Sequence, residues 1–150
     1  VQRQLWLERD PRVPARRQID ADGHPTLAEM EEWIRRADRP TTTGLLAVQR
    51  RAEGDVIGYC GLVGGGGGPH EEEPELAYEL LRRVWGHGYA TEAALAVLDW
   101  ARSSGHARLS ASVWDWNTAS RRVLGKLGFT ETGREVDPVH GINVITTRTL

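Results

Sequence analysis

The chain has 150 residues, enough for one domain, 1–150, with a proper buried core. Apolar residues make up 39%, charged residues 27% and the formal net charge is -2, which excludes an overall basic excess for nucleic acid. No apolar run approaches the roughly 20 residues of a membrane span and no charged-then-apolar leader opens the chain, so neither membrane nor export is expected.

In chain order, Gln2 to Arg9 reads as a short helix closed by Asp10-Pro11, and residues 10–25 as a polar connector. Thr26-Leu27-Ala28-Glu29 is a capping box and predicts a helix over 26–38, with Leu27, Met30, Ile34 and Ala37 along one face. Gly44 to Arg50 and Asp55 to Val63 are rich in strand formers, and Ala52-Glu53-Gly54-Asp55 turns one into the other as an antiparallel hairpin. Cys60, the only cysteine, excludes an internal disulfide and fits a reducing, cytoplasmic setting. The glycines at 64–68 and the acidic run 71–73 form a loop, whose charges read as a solvated surface. A strand follows over 75–81, then a helix over 89–104 with Ala90, Ala94, Val97, Leu98 and Ala101 on its apolar stripe. Gly105 ends that helix; 108–114 is a strand and 118–127 a helix with Ser120, Leu124 and Leu127 on one face. Strands over 129–133 and 142–149 close an α/β unit with a mixed sheet.

The most informative segment joins the strand at 75–81 to the helix after it, through Arg83-x-x-Gly86-x-Gly88. Gly86 and Gly88 let backbone amides approach a ligand closely, and the helix opening at Tyr89 and Ala90 offers unpaired N–H groups at its positive end. The natural guest is a phosphate or pyrophosphate. A triphosphate-binding loop would need Gly-Lys-Ser/Thr, and the only lysine is Lys126. A dinucleotide fingerprint would need a third glycine where Thr91 stands and an acidic strand end about twenty residues on, so a nucleotide-binding α/β domain is the weakest reading. The arginines, all but one of the 19 basic residues, are spread along the whole chain and read as coding bias. The five histidines have no metal-ligand spacing with one another or with Cys60, and no metal is expected.

Arg83-x-x-Gly86-x-Gly88 resembles the element with which GNAT acyltransferases hold the pyrophosphate of coenzyme A. Tyr78 to Leu81 resembles the strand before that turn, Asn117-Thr118-Ala119-Ser120 the N-x-x-S that opens the next helix, and Lys126-Leu127-Gly128-Phe129 the K-x-G-F that ends it. Their order and spacing are similar to the RimJ/RimL-like branch, whose members acetylate protein N-termini or small-molecule amines. The resemblance spans about residues 26–150. It implies the GNAT fold, a mixed and mostly antiparallel sheet flanked by helices, with acetyl-CoA as co-substrate and an amine as acceptor. It leaves a homodimer open. Family members begin with a strand ahead of the helix aligned with 2–9; none is visible after Val1, and its lack would leave a sheet edge exposed.

The chemistry then falls on particular residues. An α-amine has a pKa of about 8 and a lysine about 10.4, so a proton must be removed before attack. The resemblance points to Glu75 as base, ahead of Glu79, Glu73 and His70. It points to the backbone N–H of Leu80 or Leu81 for the oxyanion. Arg83, Gly86, His87, Gly88, Tyr89 and Ala90 would hold the pyrophosphate, His87 through its backbone. Asn117 would contact the pantetheine arm or simply cap its helix. Ser120 matches a serine proposed to serve the departing thiolate, although a hydroxyl is a weak acid. Many family members place a tyrosine acid where Leu124 stands, which excludes that version here. Trp114 and Trp116, alternating at a strand end, would line an acceptor pocket or pack a core. A CoA-binding module without transfer activity is the alternative.

Overall fold

The computed structural model describes residues 1–14, 18–36, 43–64 and 73–150. Helices α1 (Gln2–Leu7) and α2 (Leu27–Arg36) precede strands β1 (Gly44–Gln49), β2 (Val56–Val63) and β3 (Glu75–Leu80). Helix α3 (Tyr89–Ser103), strand β4 (Arg108–Trp114), helix α4 (Thr118–Lys126) and strands β5 (Thr130–Asp137) and β6 (Gly141–Thr149) complete the order. The strands form one sheet in the order β1-β2-β3-β4-β6-β5. Every neighbouring pair is antiparallel except β3 with β4, which is parallel. This mixed, mostly antiparallel sheet flanked by helices is the architecture that the resemblance implied.

Strand β2 is paired on both sides and buried along most of its length, as its near-continuous apolar run requires. Two glycines let its neighbours close in. A Cβ at Gly61 would lie 2.0 Å from the Gly44 carbonyl oxygen, and one at Gly58 2.1 Å from that of Glu79. Helices α3 and α4 cover one face of the sheet over the main core, where Leu62, Leu76, Leu98, Leu109, Leu124 and Val144 meet. The predicted stripe of α3 holds: Ala94, Val97, Leu98 and Ala101 are buried, with Ala90 half-buried at the first turn.

A smaller cluster of Leu5, Ile57, Leu80, Leu81 and Val84 seats α1. Polar contacts lock the same helix to the sheet. Arg9 Nε donates to Glu79 Oε1 at 2.7 Å, its Nη2 pairs with Glu79 Oε2, and Tyr59 Oη donates to Oε2 at 3.0 Å. The helix stops at Leu7, two residues short of the expected end, as Glu8 accepts from the Arg82 N–H at 2.8 Å and Arg9 turns to Glu79.

The capping box of α2 forms as read: Glu29 N–H donates to Thr26 Oγ1 at 3.3 Å, and Thr26 N–H to Glu29 Oε2 at 2.6 Å. The apolar stripe of α2 is corrected, because among its described members Met30 is buried, while Leu27 is 57% and Ile34 67% exposed. Ala37 lies outside the described residues, as do His70 and the loop residues 65–72. Strand β5 runs to Asp137, four residues past its predicted end. At the sheet edge its polar side chains stay solvated, and pairing from Arg134–Val144 to Asp137–Gly141 needs only backbone. Among the described residues β1 is the opposite edge.

Gly61→Ala is expected to lower unfolding free energy by about 2–3 kcal/mol, since the obstruction is backbone and cannot swing aside. A urea titration measures it; an unchanged midpoint would mean that β1 and β2 do not approach as described.

Candidate active site

The parallel pair β3 and β4 touches at one bridge, Glu75–Ser110, with the Ser110 N–H donating to the Pro74 carbonyl at 3.1 Å. A regular parallel ladder would next join the Ser112 N–H to the Leu76 carbonyl. Instead that N–H donates to Glu75 Oε1 at 3.1 Å, and Ser112 Oγ donates to the same oxygen at 2.5 Å. The carboxylate takes the place of a rung, and the strands diverge beyond it. Both hydrogen bonds fall on Oε1; Oε2 carries none among the described residues.

The register with β2 decides which amides face the gap. Leu81 N–H donates to the Ile57 carbonyl at 2.9 Å, so Leu81 is committed to β2. Backbone direction alternates along a strand, and the N–H groups of Tyr78 and Leu80 therefore point toward β4. Of the two residues expected to supply the oxyanion amide, Leu80 has the right direction and Leu81 has not. Tyr78 shares that direction and was not foreseen.

At the open end of the gap β3 passes through a tight turn, Arg82–Val84, into the glycine loop. Gly86 and Gly88 have φ of 81° and 86°, and a Cβ on either would meet nothing within 4 Å. Their role is conformational, because the left-handed backbone is costly for other residues. The first bond of α3 runs from the Glu92 N–H to the Gly88 carbonyl at 3.0 Å. The amides of Tyr89, Ala90 and Thr91 stand ahead of that ladder, at the positive end of the helix, where a negative charge is favoured. His87 turns Nδ1 to the Trp85 carbonyl at 2.9 Å and stacks on Tyr89 at 5.9 Å, so its ring shapes the loop.

Arg83 reaches back to the β1–β2 turn, where its Nη2 donates to Asp55 Oδ2 at 2.9 Å and Arg50 Nε donates to Oδ1 at 2.8 Å. Arg50, then Arg83, hold the Asp55 carboxyl down at about 2. Across the gap, Asn117 Oδ1 accepts from the Ser120 N–H at 3.2 Å and caps α4. Ser120 Oγ lies 2.7 Å from Tyr78 Oη. Glu75 and Tyr78 occupy odd and even places on β3 and so point to opposite faces of the sheet.

Residues 4–130 match the family model described as Acetyltransferase (GNAT) domain. The chain belongs to this GNAT acetyltransferase family. The uncharacterized protein YkkB of Bacillus subtilis is 32% identical over 105 residues, 67% of this chain and 58% of YkkB. The uncharacterized N-acetyltransferase p20 of Bacillus licheniformis is 34% identical over 83 residues, 53% of this chain and 44% of p20. The chain thus spans about half the length of the curated relatives it matches. Among solved structures, an acetyltransferase of the GNAT family from Streptococcus pneumoniae aligns with a TM-score of 0.74 at 18% identity, over 99% of this chain and 89% of that one. A ribosomal-protein-alanine N-acetyltransferase from Brucella melitensis aligns with a TM-score of 0.67 at 20% identity, over 82% and 78%. At such identities the likeness is one of fold.

The other expected residues of this GNAT domain divide by position. Glu79 is engaged by Arg9 and Tyr59. Glu73 lies 3.5 Å from Arg108 Nε at the closed end of the gap. Leu124 is 3% exposed, a core residue that brings no hydroxyl to the site. The expected alternation of Trp114 and Trp116 is corrected, because β4 ends at Trp114 and the Asn117 N–H turns back to the Trp114 carbonyl at 2.9 Å. The two indoles meet His140 separately: Trp114 packs 5.7 Å from its ring, and Trp116 Nε1 donates to its carbonyl at 3.1 Å. Arg12 covers Trp116 at 4.0 Å, a contact invisible to sequence spacing. Among the described residues no group of His, Cys, Asp and Glu could hold a metal ion, and no helix is long and apolar enough to cross a membrane.

Asp55 has a folded pKa below its ordinary 3.8, so it contributes stability above that value and loses it as pH falls toward about 2. In Asp55→Asn, urea midpoints should therefore fall less steeply than in the wild type between about pH 4 and 2. Parallel curves would show that the Arg50 and Arg83 contacts do not persist in solution.

Proposed function

We propose that this domain transfers an acetyl group from acetyl-CoA directly to a primary amine in a ternary complex. The observation that carries the reading is the divergence of β3 from β4 beside the uncapped start of α3, which joins a slot with inward-facing amides to an anion cradle. The cradle suits a pyrophosphate, and the slot suits an extended thiol-bearing arm. Arg83 and the amides of the Gly86–Ala90 segment would hold the phosphates, and Asn117 would border the arm.

Acetyl-CoA supplies an activated acyl group on a good leaving thiol; the chain's own residues handle charge and protons. Glu75 is the base. It lies about 10 Å along β3 from Tyr78 and roughly 16 Å from Leu80, so it takes the proton of the amine through water. The N–H of Tyr78 or Leu80 stabilises the oxyanion, the former being nearer Glu75, and neither must reorganise to do so. Ser120 serves the departing sulfur from the α4 side. Base and hydroxyl on opposite faces of the sheet let the amine enter from one side while the thiolate is met on the other.

The order and spacing of Arg83-x-x-Gly86-x-Gly88, Asn117-x-x-Ser120 and Lys126-x-Gly128-Phe129 support a RimJ/RimL-like assignment, with a protein N-terminus or a small-molecule amine as acceptor. One observation favours a second reading, a CoA-binding module without transfer: Glu75 Oε1 is already engaged by Ser112 in a purely structural way.

Calorimetric titration with acetyl-CoA, CoA and NAD in parallel, followed by an amine screen, separates these readings. Both CoA forms should bind and raise the unfolding midpoint, with NAD inert. Glu75→Gln keeps an acceptor for Ser112 and is expected to lower kcat by about 10²-fold or more with CoA affinity intact. Binding without turnover on any amine would favour the module, and binding of NAD alone would overturn both. Gly88→Ala should weaken CoA binding by about tenfold, the left-handed N-cap being costly to hold with a Cβ.

A further inference from the structure

Tyr78 stands on β3 with its ring packed against the main core, and its phenol reaches the first turn of α4. There Oη lies 2.7 Å from Ser120 Oγ and 3.2 Å from the Ser120 carbonyl oxygen. Burial pushes the phenol up to about 12, against a smaller opposing pull from Ser120, so it keeps its proton at neutral pH. One hydrogen thus faces two acceptors. When the phenol donates to the carbonyl, Ser120 donates to the phenol and its own hydrogen points inward. When the phenol donates to Ser120 Oγ, the serine hydrogen is released outward. Exchange between the two needs rotation of two O–H bonds and no movement of heavy atoms. Ser120 itself cannot drift, since Asn117 holds its N–H and Leu124 anchors the helix in the core.

We propose that Tyr78 is a positioning residue, which turns the Ser120 hydrogen toward the leaving sulfur of the thioester; this rests on the acetyl-CoA reading above. As the C–S bond breaks, its electron pair stays on sulfur. Ser120 O–H donates a hydrogen bond to that thiolate, Tyr78 O–H donates to Ser120 Oγ, and the thiolate takes its final proton from water. The phenol gives up no proton. Each bond polarises the next, so the phenol strengthens a donor that is weak alone.

The thiol of bound CoA reports this without turnover. Followed by thiolate absorbance, it should titrate about one pH unit below free CoA on the wild-type domain, because a hydrogen bond to the charged form favours it. Tyr78→Phe and Ser120→Ala should each reverse most of that shift, and the double variant should go no further than Ser120→Ala alone. With an accepted amine, Tyr78→Phe should lower kcat about tenfold and leave KM for acetyl-CoA unchanged. A fluorinated tyrosine at position 78, a stronger donor, should move the thiol the opposite way and keeps the test open should Tyr78→Phe not fold. A bound thiol that ignores these changes at Tyr78, or effects that add in full to those of Ser120→Ala, would overturn the role while CoA binding stands. Failure of CoA to bind the wild-type domain would overturn the acetyl-CoA reading and this role with it.

Discussion

The hydrogen bond from the Ser112 N–H to the Glu75 carboxylate, just beyond the Glu75–Ser110 bridge, organises the proposed site. Two parallel strands in register would pair along their whole length, and a fully paired sheet has no room for a ligand between them. Glu75 prevents this by accepting from the Ser112 N–H in place of the Leu76 carbonyl. The Ser112 N–H thus keeps an acceptor where the ladder ends. The proposed site lies downstream of that substitution: the amides of Tyr78 and Leu80 face a gap, and α4 comes to border it. The same carboxylate is the proposed base, so structure and chemistry share one residue.

The divergence persists because β3 is held firmly from the other side. Its ladder with β2 is continuous from Val63–Glu75 to Gly58–Leu80, with Gly58 giving the close approach. Arg9, Glu79 and Tyr59 then tie α1 to the β2 and β3 surface. A charge pair this little exposed would be costly if either partner were lost, which suits a contact that fixes one element against another. The proposed base, Glu75, thus shares its strand face with Glu79 and the contacts that seat α1, while Tyr78 and Ser120 share theirs with the main core.

Elements with strong local signatures were legible in the sequence. The capping box of α2, the 52–55 turn and the stripe of α3 form where they were read, because each is decided by neighbours within a few residues. Less legible were features set by distant partners. The stripe of α2 looked buried by periodicity, yet Leu27 and Ile34 face solvent among the described residues. Strand β5 extends through polar residues because β6 lies beside it. Trp116 left the strand because the chain turns after Trp114.

The sequence by itself determined the family, the α/β order, and the glycine loop at a helix start, all of which depend on local spacing and backbone conformation. Ser120 was placed on one face with Leu124 and Leu127 by helical period alone. Only the tertiary structure decided which amides face the gap, that Leu81 is committed to β2 while Leu80 is not, that Glu79 is locked by Arg9, and that a phenol from β3 meets a hydroxyl from α4. Those outcomes depend on strand register and on contacts between residues some forty to seventy positions apart. No local pattern encodes such contacts, since they exist only once the sheet has formed.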